Sequence, residues 1–418
     1  MGKKKKKKKN KKKKSIFQND SFHLNNDSKF SVFEVIIIIF IAIIFGVIIG
    51  YLVTYSHSNL QMIRSDSGLK EIMDTYYNIS NNYYKDVDKG KLVDAAVKGM
   101  IESLEDPYSV FLEEESAGVF NQSVDGTYVG IGISVSIIED SIMITDVLED
   151  GPAEKEGVMV GDIVLSVNNV DCHFLTLEEF STLIQGNAGS KLRMIVKRDN
   201  QKKSFTLTRK KLDLLNVRSD LLGDEKKIGY ISISLFSSNC YEQFEEQLLK
   251  LEKNHIQSLI IDVRDNPGGH LLQTKKVLSM FFNKKTVLYQ LEGNGLAKKI
   301  YATTKDIRDY PVVLLVNGNT ASAAEVLVSC FKDNYKKIHI VGTTTYGKGT
   351  VQKSQNLSTG TSIKFTIQKW LTPKGKQIDG VGIIPDVLVE QSSSYYDNSS
   401  IENDELLIKA IALLKESK

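Results

Sequence analysis

The sequence predicts a multidomain α/β protein of 418 residues. Three observations support this: an uncharged apolar run at residues 35–53, short glycine-punctuated β-rich runs at 126–208, and alternating β and α patterns from 213 onward. A chain of this length exceeds one typical hydrophobic core, and strands that alternate with helices favour a layered α/β core. We therefore expect an apolar helix, a helical arm, a β-rich domain and an α/β domain in that order.

The net charge of +3 is unevenly distributed along the chain. The first 14 residues hold 11 lysines and no acidic residue, and without them 43 basic residues face 51 acidic ones, a net charge of −8. A nucleic-acid enzyme needs a basic patch on its folded part. We therefore expect no nucleic-acid partner.

Cysteine and histidine do not cluster in the sequence. The cysteines are odd in number and widely spaced, which predicts neither a disulfide framework nor a Cys-x-x-Cys site: Cys172, Cys240 and Cys330. The histidines are equally scattered: His23, His57, His173, His255, His270 and His339. We expect no metal and no other cofactor.

The apolar run at residues 35–53 predicts a transmembrane anchor. A helix of this length spans about 29 Å, close to the hydrocarbon thickness of a bilayer. No A-x-A-like cleavage site follows it, which favours a retained anchor over a removed signal peptide. The lysines on its amino side predict a cytoplasmic tail at residues 1–34 and extracytoplasmic domains after Tyr55. We thus expect a single-pass protein of a bacterial cell membrane.

Residues 58–118 form the predicted helical arm. Apolar residues recur at helical spacing within 68–104. Asp106-Pro107 ends the second helix, because the residue before a proline avoids the helical region. A plain stalk between membrane and folded domains is the alternative.

Residues 119–212 form the β-rich domain. Strands are predicted at 128–135, 141–147 and 192–198, with a helix at 176–185. Together with Gly151-Pro152-Ala153 and the run at 157–168, the region resembles a PDZ domain of the bacterial periplasmic type. Its carboxylate-binding loop would be Gly130-Ile131-Gly132-Ile133, since glycines free backbone N–H groups for an anionic terminus and the adjacent strand edge accepts a peptide.

The α/β domain extends over residues 213–392, and a tail with a helix over 393–418. The predicted strands are 227–235, 258–263, 312–316 and 338–342, and the predicted helices are 240–253, 271–282 and 321–332. A β-hairpin is predicted at 349–354 and 361–371, and the closing amphipathic helix at 403–417.

Three short segments of this domain contain candidate catalytic groups. Ser322 follows an apolar strand and opens a helix, where unpaired N–H groups favour developing negative charge; an ordinary helix cap is the alternative. Lys348 lies between two glycines, and burial would favour its neutral form, with Gln352 on the same face of an extended chain. The Pro267-Gly268-Gly269 turn could contribute to an oxyanion hole with the Ala323 amide.

Taken together, these segments resemble those of the carboxyl-terminal processing peptidases, also called tail-specific proteases. The resemblance covers about residues 68–390 and rests on the PDZ run and these motifs: Asp106-Pro107-Tyr108-Ser109, Asn266-Pro267-Gly268-Gly269, Thr320-Ala321-Ser322-Ala323, Tyr346-Gly347-Lys348-Gly349-Thr350-Val351-Gln352, Thr372-Pro373-Lys374-Gly375 and Gly382-Ile383-Ile384-Pro385-Asp386. Three departures are Ala324 for a second serine, one extra residue near 335–337, and His270 for an apolar residue.

The resemblance implies a serine endopeptidase with a crotonase-like layered core. It implies Ser322 as nucleophile, Lys348 as base and Gln352 as its orienting partner. The oxyanion hole would come from the Ala323 amide and that of Gly268 or Gly269. The substrates would be proteins or peptides with exposed carboxyl-terminal tails, and some relatives suggest a homodimer and assembly of the site upon PDZ binding.

Two rival interpretations remain open at the sequence level. A catalytically silent PDZ scaffold at the cell envelope would retain the fold without the chemistry. A Ser-His-Asp hydrolase would need His270 or His339 as base, and neither has a companion acid in the sequence pattern.

Overall fold

The structure is a computed structural model that describes residues 21–23, 29–138, 140–223, 225–304, 307–392, 395 and 400–416. Most of the Lys-rich tail predicted at 1–34 therefore lies outside the described residues, as do parts of the segment predicted at 393–418. The chain divides into two units, Met1–Val93 and Asp94–Lys418.

The first unit is dominated by a long apolar helix. A short antiparallel pair, β1 (Ser21–His23) and β2 (Lys29–Ser31), precedes α1 (Val32–Ser65) and α2 (Ser67–Asn82). Within α1, Phe33–Tyr51 has a mean hydropathy of 3.0, and it is the one helix of the described residues long and apolar enough to cross a membrane.

The arm continues through the boundary between the units. Helix α3 (Lys89–Glu102) ends shortly before Asp106, whose side chain accepts a hydrogen bond from Tyr108 N at 3.0 Å. Strand β3 (Val110–Leu112) and helix α4 (Glu114–Asp125) follow. The second predicted helix therefore stops a few residues earlier than the proline requires.

The β-rich domain contains one antiparallel sheet with two helices. Its strands pair in the order β10-β9-β7-β6-β5, with β8 beside β7. Their bounds, with those of the helices, are β5 (Ile133–Ile138), β6 (Ser141–Val147), α5 (Pro152–Lys155), β7 (Ile163–Val167), β8 (Val170–Asp171), α6 (Leu177–Ile184), β9 (Lys191–Arg198) and β10 (Gln201–Thr208). Strand β5 forms one edge of the sheet.

The strand predicted at 128–135 is two strands in the structure. Strand β4 (Thr127–Gly130) leaves the sheet and pairs with β11 (Lys210–Asp213), so that these strands enter and leave the domain side by side. The interruption falls at Gly132, whose φ of +77° is accessible to glycine at little steric cost.

The α/β domain is built on a mostly parallel sheet. The strand order is β12-β13-β14-β17-β18-β21, with β12 antiparallel to β13 and the other pairs parallel. The bounds are β12 (Val217–Leu222), β13 (Ile228–Ile233), β14 (Ser258–Asp262), β17 (Val312–Val316), β18 (Ile338–Gly342) and β21 (Val387–Leu388). Every residue of β14 and β17 is buried, as expected of central strands covered on both faces.

Helices cover both faces of this sheet. Helices α7 (Cys240–Lys253), α8 (Leu271–Ser279) and α9 (Ala323–Asn334) share one hydrophobic core with Leu259, Ile261 and Leu314. On the opposite face, α10 (Glu405–Glu416), preceded by the 3-10 helix Ile401–Asn403, packs on Ile260, Val313 and Leu315. The half-buried Arg264 binds Asp262 and Asp404, which ties the start of α10 to the end of β14.

A second sheet pairs the end of the arm that belongs to the second unit with the α/β domain. Its order is β16-β15-β20-β19, and β3 of the arm pairs with β20. The bounds are β15 (Val287–Gly293), β16 (Leu296–Tyr301), β19 (Thr350–Asn356) and β20 (Ser362–Leu371). The predicted hairpin at 349–371 is confirmed, whereas β15 and β16 had no sequence prediction.

Candidate active site

Ser322 occupies a strained position between β17 and α9. Its φ of 54° and ψ of −116° lie outside the helical region, which costs about 1–3 kcal/mol for a residue with a β-carbon. The preceding turn is held by Thr320 Oγ1, which donates to Val263 O at 2.7 Å, and by Ala321 N, which donates to Asn266 O at 2.9 Å. The helix predicted at 321–332 therefore begins only at Ala323.

The Gly268-Gly269 turn lies against this serine. A β-carbon on Gly268 would lie 2.8 Å from Ser322 Cβ and 3.0 Å from Ala323 N, and one on Gly269 would collide with the carbonyl of Phe236. Both glycines also have positive φ, of 108° and 128°. Only glycine fits at either position.

The two candidate glycine amides differ in their hydrogen bonds. Gly268 N donates to Asn266 Oδ1 at 2.8 Å. Among the described residues, neither Gly269 N nor Ala323 N has an acceptor, and Ala323 is the first residue of α9, where amides point out of the helix. The pair available to an oxyanion is therefore Ala323 and Gly269.

Lys348 lies in a tightly packed segment between β18 and β19. A β-carbon on Gly347 would lie 2.8 Å from Gly382 N, and one on Gly349 would lie 2.7 Å from Asp379 Cβ. The carbonyl of Lys348 accepts a hydrogen bond from Trp370 Nε1 at 2.8 Å. The flanking glycines thus allow the backbone to approach the 378–382 loop.

The buried carboxylate of Glu325 joins the serine and lysine segments. Its Oε2 accepts from Ser322 N at 2.8 Å and from Lys348 N at 2.9 Å. Its Oε1 accepts from Thr345 Oγ1 at 2.6 Å and from Gly347 N at 2.7 Å. Burial raises the pKa of Glu325, and these hydrogen bonds oppose the rise.

Glu325 was missed as a site residue by the sequence reasoning. The signal was present, because Ser322-x-x-Glu325 has the spacing of a capping box, in which the glutamate accepts from the backbone of the cap residue. Sequence spacing does not reveal that the same carboxylate also binds Gly347 and Lys348.

The ammonium of Lys348 is half-buried and faces the arm. Its Nζ lies 4.7 Å from the centroid of the Tyr108 ring. Burial and the nearby charge of Lys364 lower the pKa of Lys348, while Asp106 and Glu325 oppose that shift. No hydrogen bond joins the Lys348 ammonium to the Ser322 hydroxyl among the described residues.

Gln352 lies on β19 and is engaged with threonines. Its Nε2 donates to Thr350 Oγ1 at 2.9 Å and to Thr366 Oγ1 at 3.0 Å. Thr366 Oγ1 in turn donates to Asp106 Oδ2 at 2.6 Å. The amide nitrogen of Gln352 is thus occupied by the two threonine hydroxyls.

Neither His270 nor His339 has a hydrogen bond to Ser322 among the described residues. His270 precedes α8, and its Nε2 lies 3.1 Å from Ser238 Oγ. His339 lies on β18, in register with Val313. The described part of the chain also contains no group of His, Cys, Asp or Glu side chains able to hold a metal.

The candidate peptide-binding loop lies between β4 and the edge strand β5. Ile131 N and Gly132 N have no acceptor among the described residues, and the Ile131 side chain is buried in the domain core. These two amides lie at the start of the open edge of β5, in residues that are themselves buried in this structure.

Three family models match separate parts of the chain. The model of peptidase family S41 matches residues 227–389, that of a PDZ domain matches 143–198, and that of the activating protease CtpB N-terminal domain matches 53–116.

Individual proteins are similar over most of the chain. The carboxy-terminal processing protease CtpB of Bacillus subtilis is 36% identical over 334 residues, which cover 78% of this chain and 68% of that protein. A probable CtpA-like serine protease of Staphylococcus haemolyticus is 32% identical, with 92% and 79% covered. The crystal structure of a putative S41 protease from Bacteroides fragilis aligns with a TM-score of 0.52 at 17% identity, covering 81% of this chain and 92% of that one, a likeness of fold alone.

We predict that Glu325→Gln lowers kcat by about 100-fold, the cost of displacing reacting groups by roughly 1 Å. Glutamine has one acceptor oxygen, and its amide nitrogen would face the N–H donors that Glu325 now binds. Peptide-cleavage kinetics measure the loss, and fluorescence of the buried Trp370 verifies folding.

The matched control is Glu242→Gln on α7, where the glutamate side chain is 58% exposed. It should retain the parental kcat. A folded Glu325→Gln protein with parental kcat would show that this carboxylate does not align the site.

Proposed function

The chain belongs to the carboxyl-terminal processing peptidases of family S41 and is a serine-type peptidase, and from this premise we propose that Ser322 is its nucleophile and Lys348 its general base. The observation that supports the pair most directly is the Glu325 carboxylate, which accepts from the backbone amides of both residues. We assign Gln352 as the residue that orients the lysine through its carbonyl oxygen.

The proposed reaction proceeds through an acyl-enzyme. Ser322 Oγ attacks the scissile carbonyl and transfers its proton to neutral Lys348, while the amides of Ala323 and Gly269 bind the resulting oxyanion. Lys348 then gives the proton to the leaving amine. In the second half, Lys348 takes a proton from water as the water oxygen attacks the acyl carbonyl, and it returns that proton to Ser322 Oγ when the acyl bond breaks, which restores the free serine and the neutral lysine.

The PDZ domain supports selection of protein or peptide substrates by their carboxyl tails. We place the terminal carboxylate at the amides of Ile131 and Gly132, with Gly130 and Ile133 as the ends of the loop. The tail would extend β5 as an added strand, because that strand has an unpaired edge. The domain bounds that accompany this proposal are 58–118 for the arm, 119–212 for the PDZ domain and 213–392 for a crotonase-like layered core.

The apolar helix supports a membrane anchor at residues 35–53. Its composition fits a bilayer span, and the lysines on its amino side favour a cytoplasmic location for residues 1–34 and an extracytoplasmic peptidase. Fractionation tests this assignment: the full chain should resist carbonate extraction from membranes, and deletion of 35–53 should release it.

The arm supports a homodimer. Within the described part of the first unit, helix α2 has no buried residue, and its Leu69, Ile72 and Met73 are each about 40% exposed or more. An exposed apolar face of this kind suits a second copy of the chain. Sedimentation of the detergent-solubilised protein distinguishes dimer from monomer.

We predict that Ser322→Ala and Lys348→Met each abolish cleavage of a disordered tail peptide. For the parental enzyme, kcat/KM should rise with pH, because the base must lose its proton. The midpoint should lie below the ordinary lysine pKa of 10.5, since burial first and Lys364 second lower the pKa of Lys348.

A fluorophosphonate probe separates this mechanism from a silent scaffold. It should label Ser322 in the parent and not in Ser322→Ala. Full cleavage by Lys348→Met would reject the lysine as base, and a parent that neither cleaves nor reacts with the probe would favour the scaffold.

We also predict that a carboxyl-terminal amide weakens a peptide substrate. Amidation removes the charge that the Ile131 and Gly132 amides would bind, so KM should rise about tenfold, as expected for the loss of a charge-assisted hydrogen bond. The matched peptide with a free carboxylate is the control. Equal KM values for both peptides would place tail recognition elsewhere.

A further inference from the structure

The proposed base Lys348 is approached by two side chains of the arm, which lies outside the peptidase core of residues 213–392. Tyr108 belongs to the arm segment between α3 and β3, and its ring lies 4.7 Å from Lys348 Nζ. An aromatic face at this distance attracts an ammonium group. The arm therefore contacts the catalytic group itself.

Asp106 is held rigidly beside this contact. Its carboxylate accepts from Tyr108 N at 3.0 Å, from Ser109 Oγ at 2.6 Å and from Thr366 Oγ1 at 2.6 Å. Burial opposes ionisation, but these hydrogen bonds hold the pKa of Asp106 below its usual range. A negative charge is thus fixed by the pairing of the arm with β20.

Lys364 provides a second positive charge near the base. It lies on β20, in register with Val110 of β3, and two residues before Thr366, so it shares a strand face with the threonine that binds Asp106. The side chain is half-buried, and burial lowers the pKa of Lys364 while Asp106 opposes the shift. Asp106 thus interacts electrostatically with both Lys348 and Lys364.

The titratable groups near Lys348 belong to the arm, to α9, to β20 and to two loops of the peptidase core. They are Asp106 and Tyr108 of the arm, Glu325 of α9 and Lys364 of β20, with Tyr346 and Asp379 next to Tyr108. Burial, first, and a hydrogen bond to Tyr346 raise the pKa of Tyr108 to about 12. At neutral pH the phenol is uncharged, so Asp106 of the arm and Lys364 of β20 contribute opposing charges near Lys348.

We propose that Asp106, Tyr108 and Lys364 are positioning residues of the peptidase reaction, with Lys364 disfavouring the ammonium form of Lys348 and the Asp106–Tyr108 pair holding that form in place. The proposal rests on Lys348 as the general base. A base works best when its two protonation states are close in free energy at the operating pH. Lys364 favours the neutral state that accepts the serine proton, and Asp106 with Tyr108 stabilise the charged state that follows.

The test compares the acidic limb of the pH dependence of kcat/KM among variants. Lys364→Met removes a repelling charge, so the limb should move to higher pH by about half a unit or more. Asp106→Asn keeps an acceptor oxygen but removes an attracting charge, so the limb should move to lower pH. Opposite shifts on one base are not expected from a merely structural role.

The matched control is Lys353→Met on β19 of the same hairpin. Lys353 is exposed and in register with Phe365, on the face opposite Thr366, so its limb should coincide with that of the parent. Tyr108 gives a further comparison. Tyr108→Phe retains the ring face and should keep the parental limb, whereas Tyr108→Leu should move it to lower pH and lower kcat.

The outcomes separate this proposal from the mechanism on which it rests. Coincident limbs, or shifts in the same direction for Lys364→Met and Asp106→Asn, would overturn the positioning roles while an inactive Lys348→Met still supports the base. An active Lys348→Met would overturn the base itself. The pH dependence of Ser322 labelling by the fluorophosphonate probe supplies the same limbs without peptide binding, and Lys364→Gln replaces Lys364→Met if the latter does not fold.

Discussion

The Glu325 carboxylate is the interaction on which the proposed catalytic pair depends. It lies on the first turn of α9 and binds two backbone amides and a hydroxyl of the 345–348 segment as well as the amide of Ser322. Burying a carboxylate is costly unless hydrogen bonds compensate it. Here the hydrogen-bond donors belong to both the serine segment and the lysine segment. The ionised Glu325 carboxylate is therefore compensated only when the two segments are in contact. The same contact therefore stabilises the fold and aligns the site.

Close backbone packing is the second constraint on the site. Gly268 lies against Ser322 and Ala323, while Gly347 and Gly349 lie against the 378–382 loop. A β-carbon at any of these positions would meet neighbouring atoms at 3.0 Å or less. The glycines of the motifs thus allow contact between segments, and the strain at Ser322 is retained because the surrounding turn is held by Thr320 and Ala321.

The arm is linked to the chemistry through sheet pairing. Strand β3 pairs with β20, and this register brings Asp106 to Thr366 and Tyr108 to Lys348. The Asp106–Ser109 segment, which the sequence predicts as the stop of an arm helix and as a family motif, thereby contributes charge and an aromatic face near the proposed base. The β4–β11 pair lies at the point where the chain enters and leaves the PDZ domain. The arm therefore leads directly into this pair along the chain.

The sequence by itself determined the family and much of the core. Strands at 312–316 and 338–342 and the helix at 240–253 were predicted with their final bounds, because buried apolar runs and helical periodicity are local properties. Only the tertiary structure decided that Gly269 rather than Gly268 has an available amide, that Glu325 binds both segments, and that β4 separates from β5. The catalytic roles of Ser322, Lys348 and Gln352 stay predictions. These features depend on which hydrogen-bond donor lies near which acceptor from a distant part of the chain. Packing in three dimensions determines that, and the residue pattern of a single segment does not.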